Sequence, residues 1–213
     1  MEIPTQEEKD YFLSLVNEVF EKTKLDFHLL HTPTYKISNW YYDNTKLFPK
    51  KVKVDFGLSK FVLFSKEKNP IAKKYVVKLP MLCWEKINEK GFVTRVDSID
   101  YCNIEKSIFD LAIEEGQSNF LAEIWNIGTI KDVPIYLMER ADCSESKLWK
   151  TPLTDFDDFS ELGLIYKSFS NYYGEKEFEK FYDFCYNEDI NDFHSGNIGF
   201  IGNRPVMIDY SGI

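Results

Sequence analysis

The sequence contains little cysteine and no closely spaced pair of cysteines. Cys83, Cys102, Cys143 and Cys185 are scattered along the 213 residues, and none belongs to a CxxC motif. Structural zinc sites and disulfide-rich domains both depend on regularly spaced cysteines. The spacing therefore predicts neither a zinc site nor a disulfide framework, and it favours reduced, buried thiols in a cytosolic protein.

Long hydrophobic runs are also missing. No segment approaches the roughly 18 apolar residues of a membrane-spanning helix. The first residues, MEIPTQEEKD, are acidic and polar, whereas a secretory signal peptide begins with positive charge followed by an apolar stretch. We therefore expect a cytoplasmic protein with no signal peptide and no membrane partner.

The chain also has fewer positively charged than negatively charged residues. The chain has 26 Lys and Arg residues against 35 Asp and Glu residues, which gives a formal net charge of −9. Such a charge does not attract nucleic acid or anionic lipid, so we expect no nucleic-acid partner. A nucleotide is an anion as well, and a site for it would need locally placed lysines or a metal ion.

Apolar residues, in contrast, are abundant enough for a core. Hydrophobic residues make up 44% of the chain and aromatic residues 16%, and the length fits one domain or one unit of two lobes. Thr5 and Glu8 have the spacing of a capping box, which predicts an amphipathic helix over 6–24. The aromatic-rich stretch 25–50 shows no regular pattern, and it is interpreted either as core or as a partner site.

Strand and helix patterns follow one another in a definite order from residue 51 onward. The predicted segments are strands at 51–57, 61–65 and 72–80, an insertion at 83–98 with a polar turn at 88–91, a helix at 100–116 ending at Gly116, strands at 120–130 and 133–141, helices at 155–173 and 175–186, and a hairpin ending at Asp209. This order predicts an α+β fold in which one helix is inserted into a five-stranded antiparallel sheet and a helical lobe follows.

The C-terminal end has the strongest chemical signal. Asp192 and Asn197 are five residues apart in DFHSGN, and Asp209 follows Asn197 by twelve residues. A hairpin between them can bring the three side chains to one point. Amide and carboxylate oxygens from Asn197 and Asp209 suit Mg²⁺, and Asp192 can accept the proton of a hydroxyl nucleophile. With His194 beside the transferring phosphate, this arrangement predicts phosphoryl transfer.

The segments DFHSGNIGF and VMIDYSG resemble the catalytic and metal-binding loops of the protein-kinase-like superfamily. The form is similar to that of aminoglycoside and choline phosphotransferases, and especially to the short serine/threonine kinases of bacteriophages. The resemblance implies ATP and Mg²⁺, with Asp192 as the catalytic residue, Asn197 and Asp209 as metal ligands, and His194 where typical eukaryotic kinases have lysine. It also implies a two-lobed, kinase-like domain with a helical extension at 1–50, an N-lobe at 51–140 and a truncated, mostly helical C-lobe at 141–213.

Two residues of the N-terminal half fit the same resemblance. Lys78 in YVVKLP resembles the strand lysine that pairs the α- and β-phosphates of ATP. Glu105, on the following helix, is the candidate for the glutamate that orients this lysine. The alternatives are a surface lysine at the end of a strand and a solvated helix carboxylate.

Further nucleotide contacts are implied at two places. Gly57 in FGLSKF stands at the glycine-loop position, where backbone N–H groups can approach phosphate, and Ser59 and Lys60 are added as phosphate contacts. The segment LMERAD resembles the hinge that receives adenine, with backbone contacts from Glu139 and Arg140.

The sequence departs from the kinase pattern in three respects. Ile190 stands where a histidine usually precedes the catalytic aspartate, and the metal-binding triplet is Asp209-Tyr210-Ser211 with Gly212 one place late. The sequence ends at Ile213, so we expect neither an activation loop nor the usual peptide-docking platform.

Three functions are left open. The first is a compact, phage-type protein serine/threonine kinase that modifies host or partner proteins, in the host cytoplasm if the chain is viral. The second is a small-molecule phosphotransferase, which the acidic charge and His194 favour and the missing helical region opposes. The third is a non-catalytic pseudokinase that serves as an interaction module. The joint presence of Lys78, Asp192, Asn197 and Asp209 argues against it, and we favour the protein kinase.

Overall fold

The structure is a computed structural model that describes residues 3–32, 34–57, 59–81, 84–87, 93–97, 99–143, 145–152 and 160–211. Across these residues the helices are α1 Gln6–Thr23, α2 Phe27–Leu30, α3 Thr34–Asn44, α4 Pro70–Lys74, α5 Tyr101–Glu114, α6 Glu145–Leu148, α7 Glu161–Tyr173 and α8 Glu175–Asn187. The strands are β1 Val52–Phe56, β2 Lys60–Ser65, β3 Tyr75–Pro80, β4 Trp84–Ile87, β5 Val93–Asp97, β6 Ile124–Ile130, β7 Val133–Glu139, β8 Ile198–Ile201 and β9 Arg204–Met207. The predicted α+β class is confirmed.

The chain divides into two compact units. The first unit consists of Met1–Asn103 and Trp125–Met138, and the second consists of Ile104–Ile124 and Glu139–Ile213. The second unit resumes close to the predicted boundary at 140, although most of α5 falls in this unit as well. The division into an extension, an N-lobe and a C-lobe stays a prediction.

A five-stranded antiparallel sheet, in the order β1-β2-β3-β7-β6, organises the first unit and confirms the predicted sheet. One bound of the prediction is wrong, because residues 72–74 belong to α4 and the strand begins at Tyr75. The Asn69 side chain accepts a hydrogen bond from the N–H of Ala72 at 2.7 Å, and Pro70 occupies the first helical turn. These two residues start a helix before the strand can form.

Helix α1 packs its apolar stripe against one face of this sheet. The predicted capping box is confirmed, since Glu8 N donates to Thr5 Oγ1 and Thr5 N donates to Glu8 Oε2. The buried core of the first unit is formed by side chains from α1, α3 and the sheet, among them Phe12, Leu15, Val16, Val19, Phe20, Ile37, Phe61, Leu63, Val77 and Leu79. The stretch 25–50 therefore contains helices, which the sequence patterns did not predict.

Aromatic side chains form the core of the second unit. Phe120 stacks on Phe181 with ring centroids 4.4 Å apart, and Phe169 and Phe178 lie against the same cluster. Helix α7 begins after Ser160, whose hydroxyl accepts a hydrogen bond from Gly163 N. The start predicted at 155 lies outside the described residues. The two helices meet at Gly174, as predicted, with a φ of 91°.

The turns mostly agree with the sequence. Lys131 and Asp132 both have positive φ and join β6 to β7, and Gly116 ends α5 with a φ of 74°. Gly202 turns β8 into β9, which ends at Met207, two residues before the predicted end at Asp209. The polar turn predicted at 88–91 lies outside the described residues.

The part of the chain that the structure describes has no helix with the length and hydrophobicity needed to span a membrane.

Candidate functional site

The loop from Asp192 to Asn197, between α8 and β8 in the second unit, holds its two ends together with one side chain. The amide Nδ2 of Asn197 donates to the Asp192 carbonyl at 3.0 Å and to Asp192 Oδ2 at 2.9 Å. Asn197 is buried, whereas 40% of the Asp192 side chain is exposed. The loop therefore fixes a carboxylate and leaves it accessible to a substrate.

His194 faces the same carboxylate. Its Nδ1 accepts a hydrogen bond from the N–H of Gly196 at 3.0 Å, so the neutral ring has its proton on Nε2, which lies 3.4 Å from Asp192 Oδ2. Gly196 permits this arrangement, because a Cβ atom there would lie 2.7 Å from Cε1 of the ring. His194 is thus oriented toward Asp192 by backbone as well as by side-chain contacts.

The β8–β9 hairpin places the backbone of Asp209 beside Asn197. Ile198 pairs with Met207, and the N–H of Ile208 donates to the carbonyl of Asn197 at 2.9 Å. Asp209 follows directly after this last pair. The predicted clustering of Asp192, His194 and Asn197 near Asp209 is therefore supported by contacts within the loop and by the register of the hairpin.

Tyr210 anchors the segment that contains Asp209. Its side chain is fully buried, and its hydroxyl donates to the carbonyl of Ala122 at 2.8 Å. Burial raises the pKa of this hydroxyl well above its usual value, so Tyr210 is a neutral hydrogen-bond donor. Ser211 Oγ donates to Asp209 Oδ1 at 3.3 Å on the other side of the anchor.

Two side chains that the sequence patterns did not indicate also hold the loop. The N–H of Ser195 donates to Glu161 Oε1 at the start of α7. Hydrogen bonds from the Ser195 side chain and from this N–H lower the pKa of the Glu161 carboxyl. The ring of Tyr182 on α8 lies 5.8 Å from the ring of Phe193. Glu161 is 34 residues from Ser195 in sequence, and no local pattern relates them.

Lys60 and Lys78 lie on one face of the sheet in the first unit. Val62 pairs directly with Lys78 and Lys60 with Pro80, and side chains of paired residues point to the same side of an antiparallel sheet. This face is opposite to the one that carries Phe61 and packs on the core. Both lysines are buried, with exposed fractions of 3% and 4%. Lysine is rarely buried without a specific role or partner.

The turn between β1 and β2 contains Gly57 and Ser59. The N–H of Gly57 donates to the Lys60 carbonyl at 3.1 Å, so it closes the turn instead of pointing outward. The Ser59 carbonyl accepts from Met81 N at 2.8 Å. Gly57 has open space where a Cβ atom would lie. Leu58 lies outside the described residues, and the role of Gly57 and Ser59 toward phosphate stays a prediction.

Glu105 is fully buried on α5, in the second unit. Lys78, its predicted partner, belongs to the first unit. The alternative of a solvated helix carboxylate for Glu105, and that of a surface lysine for Lys78, are both wrong because both side chains are buried. The ion pair between them stays a prediction.

The segment after β7 offers a backbone donor that the sequence patterns did not indicate. The N–H of Glu139 donates to the Glu123 carbonyl at 2.9 Å, and the carboxylate of Glu139 binds Arg204 at 3.1 Å, so Glu139 is engaged within the second unit. Arg140 follows it. Among the described residues, no acceptor faces the N–H of Ala141. Ala141 is therefore a better candidate than Glu139 for a hydrogen bond to a ligand.

The same segment is packed tightly on the hairpin that leads to Asp209. Asp142 and Phe200 exchange two backbone hydrogen bonds, at 2.8 and 3.0 Å. A Cβ atom at Gly199 would lie 2.6 Å from the Cβ of Ala141, so only glycine allows this approach. The candidate hinge and the candidate catalytic loop are thus connected within one unit.

Oxygen atoms of Asn197 and Asp209 fit the donor set that Mg²⁺ prefers. The amide nitrogen of Asn197 makes both contacts to Asp192, and its oxygen Oδ1 accepts no hydrogen bond from any described residue. Magnesium in nucleotide sites uses few protein oxygens together with phosphates and water. Within the described ranges, no group of three or more His, Cys, Asp or Glu residues could hold a metal ion. A metal would therefore need phosphate oxygens in addition to the two side chains.

Compared with protein-family models, curated proteins and solved structures, the chain gives no match. The resemblance of DFHSGNIGF and VMIDYSG to kinase loops therefore stays a prediction.

Proposed function

We propose that the chain is an ATP-dependent protein kinase that transfers the γ-phosphate to serine or threonine hydroxyls of protein substrates. The observation that supports this proposal most strongly is the double hydrogen bond from Asn197 to Asp192, beside a hairpin that brings Asp209 next to Asn197. The arrangement provides an accessible carboxylate and two separate oxygen ligands at one end of a rigid hairpin. Phosphoryl transfer requires these groups together.

Asp192 acts as the base in the proposed reaction. The substrate hydroxyl loses its proton to the Asp192 carboxylate while its oxygen forms a bond to the γ-phosphorus. The bond between that phosphorus and the β–γ bridging oxygen breaks, and ADP leaves. Asn197 holds the Asp192 carboxylate in place through Oδ2, and His194 Nε2–H can stabilise negative charge next to it.

Asn197 and Asp209 are the residues that would hold Mg²⁺ with the nucleotide. When bound, the ion neutralises charge on the phosphate oxygens. Tyr210 and Ser211 keep the Asp209 side chain in position through the bonds to Ala122 and Asp209 itself. The amide nitrogen of Asn197 donates to Asp192, and the amide oxygen Oδ1 would bind the ion.

Lys60 and Lys78 provide the local positive charge that an acidic chain needs to bind a triphosphate. They lie on one sheet face, two residues apart across the β2–β3 pairing. We further propose that the N–H of Ala141 donates to the adenine ring. The residues proposed to contact the nucleotide are therefore different from Asp192, which accepts the proton.

The direct test is labelling of protein by [γ-³²P]ATP in the presence of Mg²⁺, with the purified chain alone and mixed with a bacterial lysate. We expect wild-type protein to label one or more bands and Asp192→Asn to reduce the rate about a thousandfold, because the base is lost. The matched control is Asp189→Asn. Asp189 is exposed, three residues away, and its φ of 55° is one that asparagine tolerates.

Two results would overturn the proposal. One is labelling by Asp192→Asn at the wild-type rate, which would assign the activity to a contaminant or to another base. The other is the absence of any transfer to protein by a chain that binds ATP. In that case, release of ADP stimulated by small cationic amines or choline would support a small-molecule phosphotransferase, and no release would support a pseudokinase.

A further inference from the structure

The paired helices α7 and α8 present an unusual outer surface, which we call the tyrosine–acidic face. It consists of Tyr166, Glu175, Glu179, Tyr182, Asp183 and Tyr186. Each of these side chains is exposed, or half-exposed for Tyr166, and 81% of Tyr186 is accessible. Several accessible aromatic side chains on one pair of helices are typical of a binding surface.

The carboxylates of this face form no ion pair with any described residue. Among the described residues, none of Glu175, Glu179 and Asp183 has a cationic group within ion-pair distance, whereas the neighbouring Glu177 is paired with Lys180 at 2.7 Å. Between residues 175 and 189 there are six acidic residues and two lysines. The unpaired carboxylates follow one another at intervals of four residues, so they form a row along one side of α8.

The tyrosines and carboxylates are neighbours in space as well as in sequence. Burial, the charges of Glu175 and Glu179 and a hydrogen bond to the Glu175 carboxylate raise the pKa of the Tyr166 hydroxyl. The ring of Tyr166 packs edge-on against Phe178 at 4.9 Å. A surface groove of about 490 Å³ runs along α7 to the start of α8, and Leu162, Tyr166 and Glu175 contribute to its lining. Polar side chains of α7, among them Lys167, line the groove as well, so it joins apolar and polar walls beside the Glu175 carboxylate.

Both helices are attached to the candidate catalytic loop at the near end of this face. Glu161, at the start of α7, accepts the N–H of Ser195, and Tyr182 of α8 contacts Phe193, the residue after Asp192. A segment lying along the face is therefore led toward Asp192.

We propose that the tyrosine–acidic face binds an extended, arginine- or lysine-rich segment of the protein substrate. Guanidinium groups pair with carboxylates and stack on tyrosine rings, which are the two groups that this face presents. The negative charge of the face and of the whole chain disfavours nucleic acid, an anionic membrane and a second copy of the chain. The inference rests on the proposed kinase function, since it assigns the class of substrate that the enzyme prefers.

Binding can be measured without any reaction, by fluorescence anisotropy. The probes are short fluorescein-labelled peptides with one serine and several arginines, and matched peptides in which glutamine or glutamate replaces each arginine. We expect the arginine peptide to bind about tenfold more tightly than the glutamine peptide, and the difference to shrink at high salt. Equal affinity for the arginine and glutamine peptides would overturn the proposal.

Substitutions locate the binding surface. The double variant Glu179→Gln/Asp183→Asn keeps side-chain shape and is expected to weaken arginine-peptide binding about fivefold, with the circular dichroism spectrum unchanged. Tyr186→Ser should weaken it as well. The matched control is Glu177→Gln, which removes a carboxylate on the same helix that is already paired. An undiminished affinity in both surface variants would overturn the proposal, as would wild-type self-association that these variants abolish without any peptide binding.

The outcome for this surface can be separated from the outcome for the enzyme. Asp192→Asn is expected to bind the arginine peptide like the wild type while it fails to phosphorylate it. Binding of the peptide by a chain that never transfers phosphate would support the surface and contradict the kinase. Labelling of arginine and glutamine peptides with equal KM would support the kinase and contradict the surface.

Discussion

The two compact units position their candidate functional residues by different means. In the first unit, Lys60 and Lys78 are placed by the register of β2 and β3, which depends on many backbone hydrogen bonds and on a large apolar core on the opposite face. In the second unit, Asp192 and Asp209 lie outside the strands and are placed by individual bonds from Asn197 and Tyr210.

This difference predicts different responses to mutation. Residues fixed by a sheet register move only when the sheet is lost. Substitutions in the first unit should therefore lower activity by unfolding that unit. Residues fixed by single side-chain bonds can be displaced while the fold survives.

The largest expected effect is in the core of the first unit. Phe12 is fully buried between α1 and the sheet, and Phe12→Ala should lower the free energy of unfolding by about 3–5 kcal/mol because it leaves a cavity. Urea denaturation followed by circular dichroism measures the loss. Ile3→Ala, at a position that is mostly exposed, is the control and should change stability by less than about 0.5 kcal/mol. A loss below about 1 kcal/mol for Phe12→Ala would contradict a core at this position.

A buried carboxylate should make the second unit sensitive to pH. Burial, with the nearby Glu139 carboxylate, raises the pKa of Glu123 from 4.5 to about 7. The folded state therefore holds a proton that the unfolded state releases, and stability falls as the pH rises from about 4.5 to about 7. This loss is roughly 3 kcal/mol above pH 7.

Glu123→Gln isolates the contribution of that carboxylate. The variant should gain stability relative to the wild type as the pH is raised, since it has no proton to lose. Urea denaturation at pH 5 and at pH 8 gives the two differences. An equal difference at both pH values would show that Glu123 has an ordinary pKa.

Two glycine substitutions compare a crowded strand position with an open turn position. Gly199→Ala in the second unit would bring a methyl group to 2.6 Å from Ala141, and we expect a loss of about 2 kcal/mol as the two segments separate. Gly57→Ala in the first unit meets nothing within 4 Å and needs no positive φ, so it should be neutral or slightly stabilising. Thermal denaturation of both variants tests the contrast, and similar losses in the two would refute it.

A modest loss of stability is expected at Tyr210, together with a larger loss of function. Tyr210→Phe removes the hydroxyl that binds the Ala122 carbonyl and should cost about 1–2 kcal/mol, because a buried acceptor loses its donor. The rate of phosphate transfer should fall by more than the loss of folded protein explains, since Asp209 loses its anchor. Tyr172→Phe, which alters an exposed hydroxyl outside the tyrosine–acidic face, serves as the control. Unchanged transfer by Tyr210→Phe would show that Asp209 is placed by other contacts.

Elements with a local signal could be predicted from the sequence. The capping box at Thr5 and Glu8, the alternation in β1 and β2 and the turn at Lys131–Asp132 all depend on neighbouring residues, and each was found. Helix α4 had a local signal too, in Asn69 and Pro70, but the strand pattern that follows it obscured this start. The helices in 25–50 had no clear period, and their placement depends on packing of residues such as Ile37 into the core.

In the candidate site, too, only the residues with a local sequence signal could be predicted. The spacing of Asp192, Asn197 and Asp209 predicted a common location, because a hairpin connects them directly. Glu161, Tyr182 and Ala141 were not predicted, since their contacts to the loop or hairpin join residues that are far apart in sequence. Gly57 had the right position for a phosphate loop, yet its N–H is used within the turn.

The central claim is that Asn197 and Asp209 bind nucleotide together with Mg²⁺ while Asp192 performs the transfer. Isothermal titration calorimetry with ATP tests it directly, because it needs no knowledge of the protein substrate. We predict Mg²⁺-dependent binding by the wild type and by Asp192→Asn, and binding at least about tenfold weaker for Asp209→Asn. Absence of ATP binding by the wild type, or equal binding by Asp209→Asn, would contradict the account.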